Sequence, residues 1–318
     1  MHETGDERGI DQRPIGREPV VWGDLTRSWV WPMLLRTPAM ALAPGRLLLG
    51  IAGGAAWWIV SALWHDSSGF ADGFVGGMPS SLFPRSPVSA VTLSAVLFWV
   101  IVLVPLSAVG IGIARSAILR VSSEAYLGLS ASVLFAARAW KAWLGAVAIQ
   151  GVVMLVVVGA AALLWKIGIA VFADAGYLVS IIAGILWLAL FACQTMIVPA
   201  IAAERTDAMD ALQRAGAYLV ARTLRWLLYF AIVLGMALLA AGVVLLAWWA
   251  GVSGLNWDRE TNPTLQLAGM AMRLLVTGVA VSYWYTASGV IYLLMRRIVD
   301  RQDIREIWVE PTPSAPRS

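Results

Sequence analysis

Six long apolar stretches, each bounded by charged residues, set the pattern of hydrophobic and polar positions along the chain. A bilayer core about 30 Å thick requires about 20 apolar residues in helical form, because backbone groups in lipid must pair with one another. The pattern therefore predicts an all-α, polytopic transmembrane helical bundle. The predicted spans cover about residues 47–64, 88–114, 142–165, 175–203, 226–250 and 274–295.

The segments outside the spans differ from one another in composition. Residues 1–18 are charged and turn-rich, which predicts a disordered cytoplasmic tail. Residues 19–46 mix Trp, Leu and Met with Arg and are interrupted by prolines, so we interpret them as an interfacial amphipathic segment. The six-span domain then covers residues 47–297, and residues 298–318 form a second cytoplasmic tail.

Lys and Arg lie almost entirely on one side of this arrangement. Residues 1–46, 115–141, 204–225 and 296–318 hold 19 of the 23 basic residues, and the alternate loops hold the other four. Basic residues accumulate in the cytoplasmic loops of membrane proteins. The distribution therefore predicts a multi-pass protein of the bacterial cytoplasmic (inner) membrane with both termini in the cytoplasm.

Composition agrees with a membrane protein and offers little chemistry. Hydrophobic residues make up 60% of the chain and charged residues 13%, whereas soluble domains have about a half and about a quarter. The single cysteine, Cys193, excludes a disulfide framework within the chain. We find no catalytic motif and expect neither a cofactor nor a metal, even at the loop residues His65, Asp66 and Asp72. No separate basic domain indicates a nucleic-acid partner.

Residues 204–225 predict a cytoplasmic amphipathic helix with one polar stripe, because its polar residues recur every three or four positions. The stripe consists of Asp207, Asp210, Arg214, Tyr218, Arg222 and Arg225. Asp207 or Thr206 can cap the helix, and Asp210 can pair with Arg214 at i,i+4. Two interpretations stay open. The stripe either contacts lipid headgroups or a protein partner, or it is a solvated face that anchors the next span.

The interiors of the predicted spans contain no ionisable residue, and their largest uncharged polar side chains are Gln150 and Gln194. Each lies about a third of the way in from the cytoplasmic side, where it either bonds between helices or contacts a substrate. The last span has a second group of polar candidates, which either pack between helices or line a hydroxyl- and aromatic-rich cavity. These candidates are Tyr283, Tyr285 and Ser288.

Small residues predict close helix packing in two spans. Gly50 and Gly54 form a GxxxG pattern in the first span, and the last span carries small residues at steps of four. An internal repeat is also expected, because a shift of 84 residues places Arg138 on Arg222. The chain would then consist of three units, each a surface helix, a span, an outer loop and a second span.

Two stretches resemble an uncharacterised family of bacterial (planctomycete-type) polytopic membrane proteins. The run D-x-x-D-A-x-x-R-x-x-x-Y-x-x-x-R is matched from Asp207 to Arg222, although Thr223 stands where members often have Pro. The closing stretch from Ile291 to Asp300 is similar, and Gly112 to Ala117 resembles the family's first cytoplasmic loop. The layout is also distantly similar to the membrane domain associated with glycerophosphodiester phosphodiesterases. The resemblance implies a fold and a membrane location but no activity.

These features predict a non-enzymatic inner-membrane protein that scaffolds or assists membrane components through its cytoplasmic amphipathic helices. Its expected partners are membrane lipids and a protein partner or a second copy of the chain. The alternative is a transporter or flippase-like carrier of an apolar or amphipathic substrate, which requires no buried charge. An intramembrane enzyme is a third and weaker interpretation.

Overall fold

The computed structural model describes residues 31–64, 93–123, 125–171, 185, 192–253, 263–304 and 307. Within these residues the chain is helical, with turns and short irregular links between the helices and no strand. A short 3-10 turn, Trp31–Arg36, precedes the first α-helix. The α-helices are α1 (Thr37–Ala41), α2 (Pro44–Trp64), α3 (Leu93–Ser122), α4 (Leu129–Arg138), α5 (Trp140–Val171), α6 (residues 192–204), α7 (Ala208–Ala221), α8 (Thr223–Ser253) and α9 (Pro263–Val299).

Three to five of these helical segments are long and apolar enough to cross a membrane. Val100–Ser122 in α3, Thr223–Val243 in α8 and Leu267–Val299 in α9 qualify by themselves. Two bent pairs qualify if each counts as one span: the turn and α1 meet α2 at 73°, and α4 meets α5 at 61°. Most of the predicted fourth span lies outside the described residues.

Helix α3 extends past residue 114, where the second span was predicted to end, and includes Gly112 to Ala117. These residues are buried and helical, and α3 continues to Ser122. The helix persists because Arg115 lies in a protein environment that satisfies its charge. Its guanidinium donates to the backbone oxygens of Ala202 (3.0 Å) and Ala203 (3.3 Å) and lies 4.8 Å from the ring centroid of Phe135. The arginine thereby joins α3 to the carboxyl end of α6 and to α4.

The centre of the bundle is the packing of α9 against α2 and α3. Small residues permit this close approach. A Cβ added to Gly50 would collide with the backbone oxygen of Gly278, and one added to Gly54 would lie 3.1 Å from a methyl group of Thr277. Ser282 strengthens the contact by donating its hydroxyl to the backbone oxygen of Ala41 at 2.7 Å.

By contrast, α8 lies at the edge of the bundle. Only 11% of an 18-residue stretch within Thr223–Val243 is buried, against 72% of an equal stretch within Val100–Ser122. It packs against α9, α7 and the short helical segment before α2. Each of α2, α5 and α8 follows directly on a short helical segment, so the same pattern of short and long helix occurs three times in the described part of the chain.

Candidate functional site

The helix α7 supplies most of the polar side chains that the sequence singles out. Its first turn is capped by the Asp207 carboxylate, which accepts a hydrogen bond of 2.8 Å from the backbone N–H of Asp210. Ala211, Ala215 and Tyr218 form its buried face. Small residues on that face allow the helix to lie close to its neighbours, which brings its polar side chains onto the end of the bundle.

Glu204, the last residue of α6, lies at the centre of a group of polar contacts. Its carboxylate accepts a hydrogen bond of 2.6 Å from the Tyr292 hydroxyl and lies 3.2 Å from Nε of Arg296. It also forms an ion pair with the guanidinium of Arg214. The Glu204 side chain is only 11% exposed. A carboxylate buried to this degree requires paired donors, and three supply them here.

Arg214 connects Glu204 to the surface. Its Nε lies 3.1 Å from both carboxylate oxygens of Asp210, one turn earlier in α7. Burial lowers the pKa of the Arg214 guanidinium, but the hydrogen bond to Asp210 and the charges of Glu204 and Asp210 outweigh it. The pKa is therefore raised above its ordinary value, and the side chain is a permanent cation in this position.

Tyr218 makes a second link between α7 and the end of α9. Its hydroxyl donates to the carboxylate of Asp300, and its ring centroid lies 5.6 Å from that of Tyr292. Burial, followed by the hydrogen bond to Asp300 and the charge of that group, raises the pKa of the Tyr218 phenol. The phenol is therefore protonated at neutral pH and is available as a donor.

We refer to these residues as the Glu204 cluster: Glu204, Arg214, Tyr218, Tyr292, Arg296 and Asp300. The cluster joins the end of α6 and the middle of α7 to the end of α9, which lies 82 to 88 positions further along the chain. Arg296 extends it by donating a hydrogen bond of 2.6 Å to the side chain of Gln302.

Both acids of the cluster end their helices in the same way. Arg205 follows Glu204 with φ of 53°, and Arg301 follows Asp300 with φ of 57°. A left-handed residue is a common way to terminate a helix, but outside glycine it costs about 1–2 kcal/mol. Each acid also lies at the negative end of a helix dipole, which disfavours its charge. The arginines and tyrosines of the cluster offset these unfavourable terms.

The predicted polar stripe does not continue beyond Tyr218. Asp207 caps the helix, while Asp210 pairs with Arg214 as the spacing predicts. α7 then ends at Ala221, and Arg222 takes the cap position with φ of −145° and ψ of 49°. Arg225 belongs to α8, and both arginines are exposed. The expectation of one continuous stripe was wrong because it assumed an unbroken helix through this junction.

Four members of the cluster were not among the sequence-based candidates: Glu204, Tyr292, Arg296 and Asp300. A spacing pattern in the sequence could have identified three of these residues. Tyr292, Arg296 and Asp300 recur at steps of four, which places them on one face at the end of the last span. Their acidic partner on α6 could not be found this way, because contact between two helices depends on how they pack.

The polar candidates within the spans lie on different helices and have different neighbours. Gln194 in α6 donates a hydrogen bond of 3.3 Å to the Ser107 hydroxyl in α3. Gln150 in α5 is 2% exposed, and its side-chain oxygen has no partner among the described residues. The structure does not gather them into one group.

The aromatic candidates of α9 also separate. The Tyr283 hydroxyl donates to the backbone oxygen of Val233 in α8 at 2.8 Å. The Tyr285 ring instead lies so close to Gly110 of α3 that a Cβ there would overlap it. The two rings therefore contact different helices, and Ser288 is buried on the same helix. This arrangement favours packing between helices over a shared cavity.

No family model, no curated protein and no solved structure matches the chain. Among the described residues, no group of three or more His, Cys, Asp or Glu side chains has the arrangement needed to hold a metal ion. The loop residues His65, Asp66 and Asp72 lie outside the described part of the chain.

Proposed function

We propose that the chain is a non-enzymatic protein of the bacterial inner membrane that scaffolds or assists other membrane components through its short cytoplasmic helices. The Glu204 cluster carries this proposal. It holds α7 at a fixed position against the ends of α6 and α9, through ion pairs and hydrogen bonds of partly buried groups. A surface helix that is already ordered loses little conformational entropy when a partner binds.

The outward face of α7 supports contact with a protein. Met209 is 52% exposed, and the residues at the following turns, Gln213, Ala217 and Val220, are also exposed. This face carries no charge, whereas the inward face carries the cluster. An uncharged, partly apolar helix face beside a membrane is typical of a surface that pairs with another helix.

We also propose six spans with both termini in the cytoplasm, arranged as three units of short helix, long helix, outer loop and long helix. The order α1–α2–α3, α4–α5–α6 and α7–α8–α9 supports this arrangement. The distribution of Lys and Arg supports the orientation. The resemblance to an uncharacterised bacterial membrane-protein family stays a prediction.

Native mass spectrometry of the protein released gently from its own membrane tests the scaffolding function. We expect a second protein at fixed stoichiometry. Met209→Glu places a charge on the outward face of α7 and should release that protein. Ser130→Glu, on the exposed surface of α4, is the matched control and should retain it. A chain that always travels without a protein partner would contradict the proposal.

A carrier of an apolar or amphipathic substrate is the second candidate, and Gln150 is the observation that favours it. Its side-chain oxygen is buried without a partner among the described residues, and such an acceptor can receive a substrate donor inside the membrane. Movement of a fluorescent phospholipid analogue across proteoliposomes tests this function. Gln150→Leu should abolish movement, while Gln194→Leu, which removes only a bond between helices, should leave it. Equal movement in both variants counts against a carrier.

A further inference from the structure

The junction between α7 and α8 carries two arginines that the Glu204 cluster does not use. Arg222 and Arg225 are exposed, and neither forms an ion pair within the described residues. The two acids of α7 are engaged elsewhere, since Asp207 caps the helix and Asp210 pairs with Arg214. The junction is therefore a local concentration of positive charge to which an anionic partner can bind.

Apolar side chains surround these arginines. Val220 is 84% exposed and Leu224 is 82% exposed, and Leu228 continues the same face of α8 at 57%. Further along, Leu238 and Leu246 are exposed to a similar degree. An apolar face of this length on a span-like helix lies in the acyl chains of a bilayer. Leu224 marks where that face begins, so the adjacent Arg225 lies at the level of the lipid headgroups.

Trp226 provides a third observation at the junction. Its side chain is largely buried, at 6% exposure, and its ring stacks on Phe230 with 5.1 Å between centroids. Its indole N–H nevertheless has no hydrogen-bond partner among the described residues. A buried indole usually finds an acceptor for this proton. The described residues therefore leave this one buried polar group at the junction without an acceptor.

We propose that the α7–α8 junction binds an anionic phospholipid of the inner leaflet, with Arg222 and Arg225 holding its phosphate. Leu224 and Leu228 lie against its acyl chains. The guanidinium group suits this role because it binds phosphate oxygens in pairs. This proposal rests on the proposed scaffolding function, and it names the lipid partner of the α7–α8 junction.

The chemistry of the surface favours a lipid over an acidic protein segment. The positive charge and the exposed apolar residues are adjacent, and the apolar surface continues without a break along α8. The occupant must therefore be an amphipathic molecule with its anionic group directly beside its apolar part. An acidic peptide would match the arginines and leave the leucines uncovered.

Native mass spectrometry of the full chain in mixed micelles with phosphatidylglycerol or phosphatidylcholine of identical acyl chains tests this proposal. We expect the protein to retain phosphatidylglycerol in preference to phosphatidylcholine at low salt. The double variant Arg222→Gln/Arg225→Gln should weaken that retention about thirty-fold, at the strength typical of arginines near an anionic surface. Arg222→Lys/Arg225→Lys keeps the charge and should retain part of the preference.

The matched control is Arg36→Gln/Arg297→Gln, which removes two exposed cationic residues that belong to other segments, the 3-10 turn and the end of α9. It should leave the preference for phosphatidylglycerol unchanged. An equal loss in this control, an absence of lipid preference in the parent chain, or displacement of the lipid by soluble polyglutamate would each overturn the proposal. The protein partner lost in Met209→Glu should persist in Arg222→Gln/Arg225→Gln, so failure of lipid binding and failure of scaffolding are distinguishable.

Discussion

Glu204 shows how a single residue joins two neighbouring helices, α6 and α7, to the distant end of α9. A carboxylate at the carboxyl end of a helix is disfavoured by the helix dipole, and partial burial weakens its hydration. Tyr292, Arg296 and Arg214 replace the lost water with an O–H donor and two cations. Loss of the negative charge would leave the two arginines without their common partner. The loss of folding stability should therefore exceed that of one ordinary hydrogen bond.

Glu204→Gln should lower the free energy of unfolding by about 1.5–3 kcal/mol, the range for a hydrogen bond to a charged group. Thermal unfolding in detergent, followed by circular dichroism, measures this loss. Asp210→Asn is the matched control, because its side chain is 41% exposed, and it should lower stability by less than about 1 kcal/mol. Equal losses in the two variants would show that Glu204 has no special role.

Tyr218 should make stability depend on pH in the alkaline range. The pKa of its phenol is raised above the ordinary value of 10.0, so the folded state binds this proton more tightly than the unfolded state. The stabilisation is complete below about pH 10 and falls as the pH rises further. The gap in unfolding temperature between the parent chain and Tyr218→Phe should therefore narrow between pH 8 and pH 11. A constant gap would contradict this assignment.

Among the elements, α2 and α9 depend most on side-chain size. The backbones approach so closely at Gly50 and Gly278 that one methyl group has no room. Van der Waals packing drives helix association in lipid, since lipid tails are as apolar as leucine side chains. The small residues of these two helices therefore determine how the bundle closes.

Gly50→Ala should destabilise the bundle by about 1–3 kcal/mol, as an added group does in a tightly packed core. Gly235→Ala in α8 is the matched control, because a Cβ there meets nothing within 4 Å. It should be neutral or stabilising by about 0.5 kcal/mol, since alanine favours helix over glycine. Urea unfolding in mild detergent compares the two, and a similar loss in both would refute the packing argument.

In the whole molecule, burial is uneven across the membrane-like helices. α3 and α9 form the centre and α8 lies at the edge with one face uncovered. The Glu204 cluster and the contacts of Arg115 with α6 lie at one end of the bundle, which in the proposed topology faces the cytoplasm.

Labelling of single cysteines in intact cells tests the proposed topology. In a Cys193→Ser background, Ser68→Cys in the first outer loop should react with a membrane-impermeant maleimide. Ser314→Cys in the second tail should react only after the membrane is permeabilised. Equal reactivity of both sites before permeabilisation would place the two segments on the same side and contradict the proposed orientation.

Sequence alone predicted much at the local level. The helical, membrane-like character of the chain follows from hydropathy, because backbone groups in lipid must bond within the helix. The cap at Asp207 and the pair of Asp210 with Arg214 follow from spacing, because neighbours three or four residues apart share a helix face. The break at Arg222 could not be predicted from spacing, because the periodic pattern of polar residues continues through this position in the sequence. Packing imposes the turn on the chain.

Only the tertiary structure determined which residues contact one another between helices. Glu204 and Tyr292 are brought together across nearly ninety positions, and Arg115 reaches the end of α6 over a similar separation. Periodicity specifies a face of one helix but not the helix that covers it. The sequence therefore determined the helices, their apolar character and their local caps, because these depend on neighbours along the chain. The Glu204 cluster and the two arginines left free of it at the α7–α8 junction arose only from packing, because contacts between helices depend on the shapes of all the surfaces that meet.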